Sequence, residues 1–207
     1  METIIKTSES NTQTKMRPLP LGTIEPRIPE VWGQQTDKNK QCAVCIILNY
    51  YNSSEPVVIL TRRTTTLRSH KGQIGFPGGR AETTDSGPKE TALRECEEEI
   101  GIDRSYIEVQ GMLPAVTGLD QSIIYPIIGV ANFDTKKITP CSTEVAAIVL
   151  APVSLLTRNK SKSFDFTLFG IKRKSTLFQI EENNIWGITA QMIMSADFHS
   201  ETTINET

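Results

Sequence analysis

The sequence predicts an α/β protein in which a mixed β-sheet is covered on two sides. Three features carry that expectation: several short apolar runs rich in β-branched residues, one amphipathic helix in the middle of the chain, and an apolar helix close to its end.

In chain order, CAVCIILNYY and PVVILTRR are β-branched runs separated by the polar, turn-forming NSSE, and they read as a strand pair. A glycine-rich basic loop follows from about Leu67 to Arg80. A helix is then expected from Pro88 to Ile100, because proline suits the first helical position and Gly101 stands just past the last. YIEVQGMLPAV, SIIYPIIGVANF and EVAAIVLAPVSLL read as strands or strand-to-turn segments, and Leu177 to Ile180 as a further one. The run KRK, Lys172 to Lys174, reads as a solvated turn between apolar segments. A final helix is expected to start near Trp186 or Gly187, with Ile188, Met192 and Ile193 on one face. Trp186 is expected in the core, with stacking on a base as the alternative. Residues 1–40, rich in Thr, Ser, Gln, Asn, Lys and Pro, read as a partly disordered leader, 41–198 as the folded domain and 199–207 as a flexible tail.

Composition narrows the function classes. A chain of 207 residues suits one domain, and a formal charge of −2 is unlike the basic excess of a general nucleic-acid binder. Four cysteines lie in or beside apolar runs without the density of a disulfide framework, which points to a reducing cytoplasm. Cys42 and Cys45 form a CxxC, yet the run continues as a strand and no second ligand pair follows, so zinc and redox roles are not expected. No apolar run reaches the roughly 18 residues of a membrane span. Neither a signal-peptide core nor a C-terminal SKL address is seen. Neither nucleic acid nor membrane is therefore an expected partner; a small-molecule substrate is expected from the chain's motifs, and a homodimer is an open option.

RECEEEI, from Arg94, sets four glutamates within five positions at the end of a helix. At 100° per residue Glu95, Glu98 and Glu99 share one face, beside an apolar face of Ala92, Leu93, Cys96 and Ile100, while Glu97 points elsewhere. Like charges at i and i+4, and acids near a helix C-terminus, destabilise a helix by a few tenths of a kcal/mol. Such a run is most often a solvated face. The alternative is a divalent cation that supplies the missing charge, since Mg2+ and Mn2+ take hard oxygen ligands and substrate phosphate. The preceding loop favours the cation: FPGGR permits close backbone approach, and Arg62, Arg63, Arg68, His70 and Lys71 offer cationic groups to phosphate. His70 itself is expected as a phosphate neighbour or surface residue, not as a ligand of a hard cation.

These residues resemble the Nudix hydrolase box, a Gly and an acidic residue ahead of REUxEExGU, where U is apolar. Gly79 opens the box and RECEEEIGI completes it, although eight residues separate Asp85 from Arg94 where seven are usual, and Asp replaces Glu. The stretch ILTRRTTTLRSHKGQIGFPGG, Ile59 to Gly79, is similar to the additional signature of the coenzyme A pyrophosphatase branch, LLTxR(S/A)x3Rx3Gx3FPGG, with Thr64 where Ser or Ala is found. IWGITA, Ile185 to Ala190, resembles that branch's C-terminal string.

The resemblance implies a Nudix fold, an α/β/α sandwich around a mixed sheet, and cleavage of a nucleoside diphosphate linked to another group. It implies Glu95, Glu98 and Glu99 as ligands of Mg2+ or Mn2+, with the Gly78 carbonyl as a further one. Arg94 is expected to orient the glutamates, and Arg63, Arg68, Lys71 and Gly79 to meet the substrate. Glu98 or Glu144 is the expected general base. Coenzyme A would give 3′,5′-ADP and 4′-phosphopantetheine. The alternatives are another Nudix substrate, such as ADP-ribose or NADH, and a noncatalytic nucleotide binder.

Overall fold

A computed structural model describes residues 21, 24, 25, 27–29, 40–66, 71–168 and 170–198. The two apolar runs form strands β1 (Gln41–Asn49) and β2 (Val57–Arg63), paired antiparallel through Leu48–Val58 and Asn49–Val57. Alternation along β1 sends Ala43, Cys45 and Ile47 to one face of the sheet and Ile46 and Leu48 to the other, so each face receives its own core. The same period places Cys42 and Cys45 on opposite faces of β1.

The glycine-rich loop is more ordered than its composition suggests. It contributes β3 (Ile74–Gly75), which pairs with β2 at Thr61 and Arg62, and β4 (Gly78–Arg80), which pairs with β1 from Cys42 to Val44. The loop is thus wedged between β1 and β2, which touch only at one end. Pro77 completes the wedge by accepting the Cys45 N–H at 2.9 Å.

Helix α1 (Pro88–Ile100) has the expected bounds, with proline in its first turn and Gly101 as its C-cap. It lies over the face formed by Ala43, Cys45, Ile47 and Ile59, into which Ala92, Leu93, Cys96 and Ile100 are buried. Beyond it come β5 (Ile107–Met112), β6 (Val116–Thr117), β7 (Ile123–Ala131) and β8 (Val145–Pro152). Strand β7 runs parallel to β1 along its whole length, while β5 and β6 pair antiparallel with β7 and β8 with β2, giving the expected mixed sheet.

The opposite face is covered by helix α2 (Gly187–Ala196) together with a three-stranded sheet of β9 (Lys162–Leu168), β10 (Ile171–Ile180) and β11 (Asn183–Trp186). Here two expectations are corrected. Lys172 to Lys174 is no turn: it lies in β10, paired with Asp165 to Thr167 of β9. The polar, exposed first half of β10 lacks the apolar alternation that marks a strand, and only Phe178 and Ile180 reach the core. Trp186 is 41% exposed, its ring meeting Phe164 edge-on at 6.4 Å, so it closes a surface sheet instead of filling the interior. Within the leader, Glu25 exchanges two backbone hydrogen bonds with Met112, and Leu21, Ile24 and Ile28 pack on the two cores. The tail from 199 lies outside the described residues.

Gly78 sits at φ 155°, and a Cβ there would overlap the Ala43 carbonyl and Val44 of β1. Gly78→Ala is expected to cost about 1–3 kcal/mol by forcing β4 off β1, measurable as a lower midpoint in urea unfolding.

Candidate active site

The site lies where the wedge meets α1. Arg94, on the first half of the acidic stretch, has a side chain only 14% exposed and directs its guanidinium to both. Its Nε and Nη2 donate to the two carboxylate oxygens of Asp85 at 3.1 and 3.0 Å, and Nη2 also donates to the Arg80 carbonyl at 2.9 Å. Nη1 donates to Glu95 at 3.1 Å and to Glu98 at 2.8 Å. Asp85 is buried and accepts further bonds from the Glu82 N–H and the Thr91 hydroxyl. Burial alone would raise its carboxyl pKa, but the bonds from Arg94, Thr91 and Glu82 outweigh that and hold it below the usual range. The one-residue-longer spacing between Asp85 and Arg94 is thus compatible with a bidentate pair.

The three glutamates of the shared face are not equivalent. Glu98 is 55% exposed, Glu95 14% and Glu99 only 4% at the side chain. Gly79 leaves room for this arrangement, since a Cβ there would overlap the Glu95 carboxylate. Glu99 accepts the Gly78 N–H at 3.3 Å and faces Arg63 Nη1 at 3.5 Å. Burial first, and then the negative charge of Glu95, push Glu99 up to about 7 in spite of Arg63 and the Gly78 N–H. Burial likewise raises Glu95, opposed by Arg94 and reinforced by Glu98 and Glu144. Glu144 is exposed, and its charge is felt at both Glu95 and Glu99. Glu97 does turn away: Arg104 clamps it through the backbone N–H at 3.0 Å and the side chain, and also binds Glu90.

Among the predicted site residues the structure therefore brings together Arg63, Gly78, Gly79, Arg94, Glu95, Glu98, Glu99 and Glu144. Arg62, one position from Arg63, faces away and binds Asn183 of β11. Lys71 is exposed, and Arg68 and His70 lie outside the described residues. Asp85 was legible only as a box position. Its part as the anchor of Arg94 needs the fold.

The oxygen donors and the surplus negative charge fit a hard divalent cation. Among the described residues, however, no three His, Cys, Asp or Glu groups are drawn into a ready-made metal cage. Arg94 occupies the interval between Glu95 and Glu98 with its own positive charge, and Glu99 is turned to Arg63 and Gly78.

The family model described as the NUDIX domain matches residues 39–168. The chain belongs to the Nudix family. It is 34% identical over 164 residues to Nudix hydrolase 22, chloroplastic, of Arabidopsis thaliana, covering 76% of this chain and 54% of that relative's length. It is 33% identical over 168 residues to the uncharacterized Nudix hydrolase NudL of Photorhabdus laumondii, covering 81% of this chain and 88% of the relative. A crystal structure of a MutT/nudix family protein from Enterococcus faecalis shares the Nudix fold with a TM-score of 0.51 at 15% identity, covering 80% of this chain and 63% of that one. No helix among the described residues is long and apolar enough to cross a membrane.

The Glu99 shift gives the Nudix site a pH signature. A carboxyl that titrates at about 7 when folded and near 4.5 when unfolded keeps a proton that the unfolded chain has lost, so its contribution to stability falls as pH rises between those values. In the metal-free protein, Glu99→Gln is expected to gain up to about 3 kcal/mol on wild type between pH 4.5 and 8, read from urea unfolding at each pH. Added Mg2+ should raise the wild-type Tm more at pH 8 than at pH 5, because ligands must lose their protons to bind.

Proposed function

We propose that the chain hydrolyses the diphosphate linkage of coenzyme A or its acyl derivatives, giving 3′,5′-ADP and 4′-phosphopantetheine or its acyl form. The contact between the two halves of the site carries this proposal: Arg63, in the segment that resembles the coenzyme A signature, lies 3.5 Å from Glu99 in the acidic box. A guanidinium seated against the acidic face can meet a phosphate oxygen entering there. Arg68, Lys71 and the Gly79 backbone are assigned to the same substrate.

Glu95, Glu98, Glu99 and the Gly78 carbonyl would hold Mg2+ or Mn2+. A divalent ion bound there supplies Lewis-acid polarisation of a phosphoryl oxygen and a more acidic water. The side chains do the rest. Arg94 fixes Glu95 and Glu98, and Arg63 stabilises charge that develops on the phosphate oxygens. As water adds to one phosphorus and the bond to the bridging oxygen breaks, a carboxylate takes the water's proton. Glu144 is the preferred base, because Glu98 is engaged by Arg94 and is assigned to the ion, whereas Glu144 is exposed beside the acidic pair. The free thiols support a cytoplasmic setting.

With Mg2+ or Mn2+ supplied, coenzyme A should be cleaved in preference to ADP-ribose and NADH, with 3′,5′-ADP and 4′-phosphopantetheine separated by chromatography. Preferred cleavage of ADP-ribose would move the specificity elsewhere in the Nudix family, and binding without metal-dependent cleavage would mark a noncatalytic binder. Glu98→Gln should lower kcat at least about 100-fold, and full activity in that variant would remove the proposed site.

A further inference from the structure

Thr64 directly follows Arg63 at the end of β2 and is buried. Both of its donors turn to one short segment. Its N–H donates to the Glu144 carbonyl at 2.8 Å, and its hydroxyl donates to the Thr143 carbonyl at 3.1 Å. Having donated its proton, the hydroxyl is left to accept from Thr66 at 3.0 Å, which ties the start of the loop toward Lys71 into the same knot. The far side of the segment is fastened to α1, where the Cys141 N–H donates to the Glu99 carbonyl at 2.9 Å. Within the turn, the Cys141 carbonyl accepts the N–H groups of Glu144 and Val145 at 3.0 and 2.8 Å.

Residues 141–144 are therefore held between Glu99 on one side and Thr64 on the other. They lead directly into the point where the β2–β8 register slips, with Arg62 opposite Ala147 but Arg63 opposite Val145. A bulge of this kind beside a site re-aims the neighbouring side chains. Here it separates two demands on Glu144: its backbone is pinned while its carboxylate stays exposed.

We propose that Thr64 is a positioning residue for the hydrolysis, its hydroxyl and amide latching the turn that carries Glu144 to the strand end that carries Arg63. This rests on the assignment of Glu144 as the base. The latch adds one side-chain bond, to Thr143, to the backbone bonds that set the spacing between Arg63 and Glu144. Ser at this position would keep both bonds, and Ala would keep only the one from the amide.

The test compares Thr64→Val, which keeps the shape and loses the hydroxyl, with Thr64→Ser. In steady-state coenzyme A hydrolysis the Val variant should lose about tenfold in kcat with KM changed less than about twofold, and the acid limb of its kcat–pH profile should move. The Ser variant should return kcat to within about twofold of wild type. Hydrogen exchange at the Glu144 and Val145 amides should accelerate at least about fivefold in the Val variant alone, with α1 amides unchanged. Equal exchange in wild type and Val would overturn the latch, whatever the substrate proves to be. Faster exchange with an unaltered kcat and pH profile would overturn the positioning role. A wild-type protein that hydrolyses no diphosphate would instead overturn the proposed function and the role built on it, with the exchange data still deciding whether the latch exists.

Discussion

The five hydrogen bonds of the Arg94 guanidinium hold the acidic end of α1 against the wedge between β1 and β2. The planar fork meets Asp85 with two parallel donors, the geometry in which an arginine and a carboxylate bind each other most firmly. Asp85 is in turn fixed by Thr91 in the first half of the helix and by the Glu82 N–H. The helix, the loop before it and the edge of the wedge thus share one charged knot. Once it is made, Glu95 and Glu98 are drawn to the same side and Glu99 is left to face Arg63 and the Gly78 N–H. The repulsion that a helix alone would suffer is partly answered within the chain, and Glu99, held up first by burial and then by the charge of Glu95, stays well above the usual carboxylate range.

Much of this was legible in the chain, and the failures have physical causes. Helix α1 was readable to its ends because Pro88 and Gly101 punctuate it and its apolar stripe keeps one period. Strands β1, β2, β7 and β8 were readable because buried β-branched runs need no context. Strands β3 and β4 were hidden in a glycine-rich loop, since two or three residues carry no period and exist only because a gap between β1 and β2 offers them partners. The inner end of β10, Leu177 to Ile180, was readable, but β9 and the outer half of β10 were missed because that half is exposed and polar.

Within the site, the box glutamates stood out by residue type and spacing, and Arg94 and Arg63 through the resemblance to the family's motifs. Asp85 as anchor and Thr64 as latch did not, because each acts through bonds to distant or irregular backbone and side-chain partners. The fourth glutamate of the run also needed the fold. Arg104, seven residues on, takes Glu97 through both its backbone N–H and its guanidinium and reaches Glu90, two turns earlier on the same helical face. That clamp secures the last turn of α1, where no basic residue of the helix itself offsets the negative end of the macrodipole.

Adjacent arginines on β2 divide their labour by the pleat. Arg62 leans across the sheet to Asn183 of β11, on the side covered by α2, and Arg63 leans the other way to Glu99. A change at position 62 would be felt in how the outer lobe seats on the central sheet, and a change at position 63 in the charge set against Glu99. Two neighbours that look inseparable in the string RR therefore answer to different parts of the molecule, one to the docking of an outer strand and the other to the acid-rich end of a helix.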